Sequence, residues 1–311
     1  MTASPTFRLV FAGTPEVAVP SLRALQDAGH DIAAVVTRPD APQGRKRVLT
    51  PSPVAAEAER LGLRVIKASR LDDDTTAEIV ALGADLGVVV AYGGLVREPL
   101  LSAPTHGWIN LHFSLLPRWR GAAPVQHALI AGDDELGTAV FRLVRELDAG
   151  AVYAQAPVRL PVNATAGEAL DVLAEVGADQ LVGVVASIAA GTAVATPQDG
   201  TVTLAPKLRL EDGALDWTQP AARVLARWRG VTPEPGAHTT VGDARVKVLT
   251  MEHAQDAPAL APGEPASSKR GVLVGTGTDP LLVTRVQPSG RGPMSASDWL
   301  RGLRDEAWFG A

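Results

Sequence analysis

The chemistry-bearing residues are densest in the run GWINLHFSLLPRWRGAAPVQ, where Asn110 and His112 stand two apart in a segment of strand character. Side chains alternate between the faces of a strand, so this amide and imidazole project to the same side. An amide donates hydrogen bonds without competing as a base, and an imidazole titrates near neutral pH. Two readings stay open: a hydrogen-bonded pair inside the core, or a pair that meets a ligand. Just beyond, Arg118 and Arg120 flank Trp119, a pattern that fits a solvated surface or, beside such a strand end, an anion contact. A second stretch, ELDAGAVYAQ, sets Asp148 and Gly150 in a turn between strands; Asp-x-Gly is in most proteins no more than a turn. A third, RPDAPQGRKRVLTPSPV, carries Arg45, Lys46 and Arg47 in a row on a mobile, proline-punctuated loop. It is either a solvated charge run or a loop that closes over a phosphate-rich partner.

The elements that must position these residues alternate between strand and helix. FRLVFAG reads as a strand, with Thr14 as N-cap and Pro15 as first position of a helix ending near Gly29. IAAVVT, LRVI and DLGVVVAY are further strands, with AAEAERLG and TAEIVALG as helices between them. Continuous apolar strands joined by helices predict an α/β fold with a doubly wound, mostly parallel, Rossmann-like sheet. Such sheets bind ligands beyond the carboxyl ends of their strands, which is where Asn110, His112 and the residues after VVVAY fall. A long helix is expected over about 166–190, then a linker from about 191 to 206. The remainder, 207–311, holds one helix, AARVLARWRG, and short strands ARVKVLTM, GVLVGTG and PLLVTRVQ separated by turn residues, which predicts a smaller β-barrel (OB-like) domain. Residues 254–268, rich in Ala and Pro, read as an exposed loop.

Composition removes several classes of function. There is no cysteine, so disulfide frameworks, thiol nucleophiles and cysteine zinc sites are excluded. The histidines share no metal-ligand spacing, so no metal is expected. GTPEVA lacks the later glycines of the dinucleotide fingerprint, which disfavours a nicotinamide cofactor and an oxidoreductase, and no P-loop lysine is present. No eighteen apolar residues run uninterrupted and no basic region precedes the first apolar run, so neither a membrane span nor a secretory signal is expected, and a cytoplasmic location follows. Net charge is −6 over 1–206 and +1 over 207–311, which leaves room only for a focused basic surface.

Taken together, FAGTPE, the basic loop ending PSPV, VVVAYG, NLHFSLLPRWRGAAPVQ, LDAG and MSASDWLRG resemble the methionyl-tRNA formyltransferase family, nearly end to end. The long central block is the specific part of the match. The resemblance implies the formyltransferase fold and a formyltransferase that moves the formyl group of 10-formyltetrahydrofolate to methionyl initiator tRNA for translation initiation. A monomer is expected, with no membrane or metal partner. It implies a catalytic Asn110, His112 and Asp148, folate along domain 1–206, and tRNA binding by domain 207–311. Candidate folate walls are Val89, Val90, Ala91, Tyr92, Gly93, Ser114, Leu115, Leu116, Pro117, Leu143 and Val144; candidate tRNA contacts are Arg45, Lys46, Arg47 and Lys207. Phe113 departs from the family pattern, which has a small residue between the His and the Ser. Purine, amino-sugar and other folate-using enzymes of this type share the first domain but not the basic-loop and C-terminal resemblances, and a noncatalytic RNA binder would not need an intact Asn, His and Asp.

Overall fold

The computed structural model describes residues 7–44, 46–255, 257–303 and 308–310. The chain divides into two compact units: 1–122, 135–159 and 170–204 form the first, and 123–134, 160–169 and 205–311 the second.

In the first unit, β1 (Arg8–Gly13), α1 (Val19–Asp27) and β2 (Asp31–Thr37) open the alternation. A hairpin of β3 (Ala41–Gln43) and β4 (Val48–Thr50) interrupts it before α2 (Pro53–Arg60), β5 (Val65–Lys67), α3 (Asp73–Val80), β6 (Leu86–Val90) and β7 (Trp108–His112). With α4 (Pro124–Ala131) assigned to the second unit, β8 (Glu135–Arg142) and β9 (Val152–Arg159) complete the sheet, and α5 (Ala166–Ala189) follows, belonging to this unit from Leu170 on. The seven strands run in the order β5-β2-β1-β6-β7-β8-β9. The first five are parallel; β8 and β9 add antiparallel. The mostly parallel sheet expected from the sequence is therefore observed.

Strand residues such as Leu9, Val10, Phe11, Val88, Val90 and Ile109 are wholly buried, as a sheet covered on both faces requires. Trp108 fixes β7. Its ring lies where a Cβ on Gly87 would come within 2.0 Å of it, so only glycine fits there, and its indole N–H donates to Leu100 O at 2.9 Å. Truncating a tryptophan packed this way costs about 3–5 kcal/mol. The α5 helix is apolar enough to cross a membrane, with an 18-residue window of mean hydropathy 1.6. Its buried residues Leu173, Ala178, Leu181 and Val185 recur every three to five positions, however, and Gly177 lies against Leu111 of β7. That periodicity is the core-facing stripe of an amphipathic helix.

Two local expectations are corrected. Thr14 caps no helix: α1 starts after a short 3-10 turn at Glu16–Ala18, and the Thr14 hydroxyl instead donates to Tyr92 O at 2.9 Å, joining the chain beyond β1 to the chain beyond β6. The segment read as a basic loop contains two short strands, 41–43 and 48–50, that pair as an antiparallel hairpin around a turn with Gly44 at φ 65°.

The second unit holds α6 (Ala221–Gly230), β10 (His238–Val241), β11 (Ala244–His253), β12 (Pro265–Ser267), β13 (Val272–Val274), β14 (Leu281–Pro288), β15 (Met294–Ser295), α7 (Ala296–Arg301) and β16 (Phe309–Gly310). The strands pair antiparallel in the order β12-β13-β14-β11-β10-β16, with β15 on β14. Phe309 N donates to Gly263 O at 2.8 Å, so the chain just ahead of β12 meets β16 and the strip curls into a barrel. Trp217 and Trp299 both meet the Phe309 ring edge-on at 5.7 Å in its core. Against it, α4 and α6 approach so closely at Gly230 that a Cβ would lie 2.6 Å from Gln126 O. The segment read as an exposed loop, 254–268, includes β12.

Candidate active site

Asn110 and His112 occupy the carboxyl end of β7, between Val89 of β6 and Phe141 and Ala139 of β8. His112 is buried, with the Phe141 ring edge-on at 6.3 Å. Its Nε2 lies 2.9 Å from Trp119 O. A carbonyl only accepts, so Nε2 carries the proton and donates, and a neutral ring leaves its lone pair on Nδ1. Burial pushes the imidazole below its ordinary pKa, outweighing the upward pull of the Asp148 charge and the bond to Trp119. Nδ1 is thus a free base that faces Asp148 Oδ2 at 3.9 Å. Asn110 is half-buried and its amide makes no hydrogen bond to another described residue.

Asp148 reaches this face because the 143–151 connection between β8 and β9 folds back over the sheet. The same Oδ2 accepts from Gly121 N at 2.8 Å. Its backbone is left-handed, φ 46°, as is that of Trp119, φ 61°. Aspartate tolerates this region better than tryptophan, and each such residue stores about 1–3 kcal/mol that its surroundings must hold in place. Gly150 permits the turn, since a Cβ there would lie 1.7 Å from Arg142 O. The asparagine, histidine and aspartate singled out in the sequence therefore converge, and the arrangement offers an amide donor, a neutral base and a carboxylate on one face.

The sequence reading missed Gln198. Its Nε2 donates to Asp148 O at 2.7 Å and Gly150 O at 2.9 Å, while its Oε1 accepts from Arg120 Nε and an Arg120 terminal nitrogen at 3.1 and 2.6 Å. Arg120, read from the sequence as either a solvated cation or an anion contact, is committed to this amide. Arg118 is exposed and lies 5.3 Å from the Trp119 ring centroid. No pattern in the sequence marked Gln198, some 50 residues from Asp148 in a turn-rich segment.

The remaining candidates separate by burial. Ala91 and Gly93, at φ 48° and 77°, are exposed beyond β6, next to β1, where the strand order reverses direction. Clefts at such switch points are where doubly wound sheets take ligands. Val90 and Tyr92 are buried, and the Tyr92 hydroxyl donates to Ala68 O at 3.3 Å, so what they can offer a ligand is backbone. Val89 is 8% exposed and lies opposite Asn110 in the register. Ser114 donates to Arg118 O at 2.7 Å, Leu116 packs with Phe141, Val152 and Leu143, Pro117 is buried, and Leu115 and Val144 are half-buried. Phe113 is buried, at 7% exposure. Lys46 and Arg47 are exposed on the hairpin, Lys207 is exposed in the second unit, and Arg45 lies outside the described residues. Among the described residues no group of three or more metal-ligating side chains could hold an ion.

Known proteins resemble this chain in sequence and in fold. The family described as formyl transferase matches residues 7–185, and its C-terminal domain matches 207–304. The chain is 58% identical to a methionyl-tRNA formyltransferase of Clavibacter sepedonicus over 95% of this chain and 97% of that one. It is 57% identical to that of Leifsonia xyli, over 96% and 99%. A methionyl-tRNA formyltransferase structure from Clostridium thermocellum has the same fold, with a TM-score of 0.60 at 11% identity, covering 81% of this chain and 95% of that one. HypX from Aquifex aeolicus, solved in complex with tetrahydrofolic acid, superposes with a TM-score of 0.65 at 16% identity, covering 96% of this chain but 47% of its own. The chain belongs to the methionyl-tRNA formyltransferase family.

Proposed function

We propose that this protein transfers the formyl group of 10-formyltetrahydrofolate to the α-amine of methionyl initiator tRNA, as a monomeric, cytoplasmic enzyme of translation initiation. The observation that carries the reading is the Asn110, His112 and Asp148 cluster, with a base nitrogen 3.9 Å from a carboxylate at the end of β7, in a chain 58% identical to a methionyl-tRNA formyltransferase.

The amine nitrogen bonds to the formyl carbon, the bond from that carbon to the folate nitrogen breaks, and the proton lost by the amine ends on the folate nitrogen. Asn110, whose amide is uncommitted, donates to the oxyanion that develops on the formyl oxygen. His112 Nδ1 takes the amine proton, and the Asp148 carboxylate stabilises the imidazolium so formed. Trp119 O keeps the ring in the orientation that aims Nδ1 at the reaction.

We assign the folate to domain 1–206, along Ala91 and Gly93 and the other candidate wall residues beyond β6 and β7. The exposure of Ala91 and Gly93 and the half-buried Asn110 beside Val89 support this placement. We assign tRNA contacts to Arg45, Lys46 and Arg47 in the first domain and, separately, to Lys207 in domain 207–311; cations are the groups that meet a phosphate backbone, and Lys46, Arg47 and Lys207 are exposed.

The test compares three acceptors with 10-formyltetrahydrofolate as donor: charged initiator tRNA, charged elongator tRNA and glycinamide ribonucleotide. Formylation of the initiator tRNA alone is expected. Preferred formylation of the ribonucleotide would overturn the reading.

A further inference from the structure

Residues 196–204, which follow α5 and sit in the same compact unit as the sheet, form no extended strand. Their polar groups are nevertheless committed to both site loops. Thr196 and Val152 exchange backbone bonds of 2.8 and 2.9 Å, and Gln198 holds Asp148 and Gly150. Thr203 accepts from Trp119 N on its hydroxyl at 2.8 Å and from Arg120 N on its carbonyl at 2.9 Å. One short segment therefore grips the loop whose Trp119 carbonyl orients His112 and the loop that carries Asp148.

Gln198 is the centre of this grip for a chemical reason. It gives two N–H bonds to two carbonyls and takes two from a guanidinium, which requires a donor and an acceptor on one terminal group. Glutamate lacks the donors, and lysine lacks the acceptor. Asp148 needs such a hold, because a left-handed non-glycine residue relaxes when its surroundings release it.

We infer that segment 196–204, acting through Gln198, is a positioning strap that holds Asp148 against His112. Its kinetic consequences rest on the proposed formyl transfer; its geometric consequence does not. Without the strap the carboxylate drifts from the imidazole, and the imidazolium formed during proton transfer loses its partner.

The test uses the full chain with Gln198→Ala and, as a variant of native length without hydrogen-bonding groups, Gln198→Met. The His112 titration is followed by NMR, its signal assigned by loss in His112→Gln. Because the Asp148 charge pulls the His112 midpoint upward, both variants are expected to titrate at lower pH than wild type while melting close to it. Turnover should fall about 10- to 100-fold, with KM for each substrate changed by no more than about twofold. In an Asp148→Ala background, Gln198→Ala should add no further loss. An unmoved His112 midpoint, losses that multiply with Asp148→Ala, or failure of both variants to fold would overturn the strap. If wild type forms no formylmethionyl-tRNA, the proposed function fails and the titration alone decides the strap.

Discussion

The loop after β8 and the hairpin after β2 both leave strands of one sheet, and they are built on opposite principles. In the first, Asp148 is buried, its carboxylate is held by Gly121 N–H and its carbonyl by Gln198. In the second, every described residue from Ala41 to Leu49 is exposed, the apolar Val48 and Leu49 included, at 60% and 67%. A group that must stabilise charge developing over a few ångströms has to be oriented beforehand, in a place water does not screen. A group that meets a large, highly charged partner works from solvent, where its contribution is modest and sensitive to salt.

The contrast breaks most easily at the oxyanion. Asn110→Ala should lower turnover by about 10²–10³-fold while the protein melts as wild type, since removing one such donor costs about 2.7–4 kcal/mol of transition-state stabilisation. Asp148→Ala should be folded and comparably impaired, and steady-state rates of the purified variants check both. Gly150→Ala should damage the buried loop itself: a Cβ 1.7 Å from Arg142 O forces the backbone apart, and a loss of about 1–3 kcal/mol in urea unfolding is expected.

The hairpin should answer more softly. Lys46→Ala combined with Arg47→Ala should raise KM for tRNA by about tenfold, leave folate binding unchanged, and flatten the dependence of log affinity on log salt by about two phosphate contacts. Arg45→Ala should likewise weaken tRNA use far more than folate binding.

The smallest effect expected is in pH. His112 binds its proton less tightly in the fold than in the unfolded chain, because burial outweighs the Asp148 charge. As pH falls through the ordinary imidazole range the unfolded chain is protonated first, so the His112 contribution to stability is full above that range and is lost as pH falls toward the folded midpoint. Turnover should stay flat at neutral pH and decline only below the usual imidazole midpoint. A descending limb already at neutral pH would remove Nδ1 as the base.

Much of this site was legible in the sequence, for identifiable reasons. Strand alternation places Asn110 and His112 on one face, and apolar runs such as VVVA announce a buried parallel sheet. From its own residues Asp148 was legible only as a turn, and the family resemblance alone marked it as catalytic; what makes it a partner of His112 is the backward fold of a nine-residue connection, which no local pattern encodes. Gln198 carried no signal, because its four bonds all run to residues distant in sequence. Arg120 could be read as a solvated cation or as one facing an anion, and its partner is that same amide. The hairpin escaped notice because its strands are short and exposed, so no apolar alternation marks them.

The proposed division of labour, with transfer at the β7 cluster and tRNA recruitment at the hairpin, is decided by single-turnover formylation of initiator methionyl-tRNA at saturating enzyme. Asn110→Ala should slow this step by about 10²–10³-fold, and the Lys46→Ala, Arg47→Ala double variant should proceed at the wild-type rate. A wild-type rate in the first, or an equal slowing in the second, would contradict it.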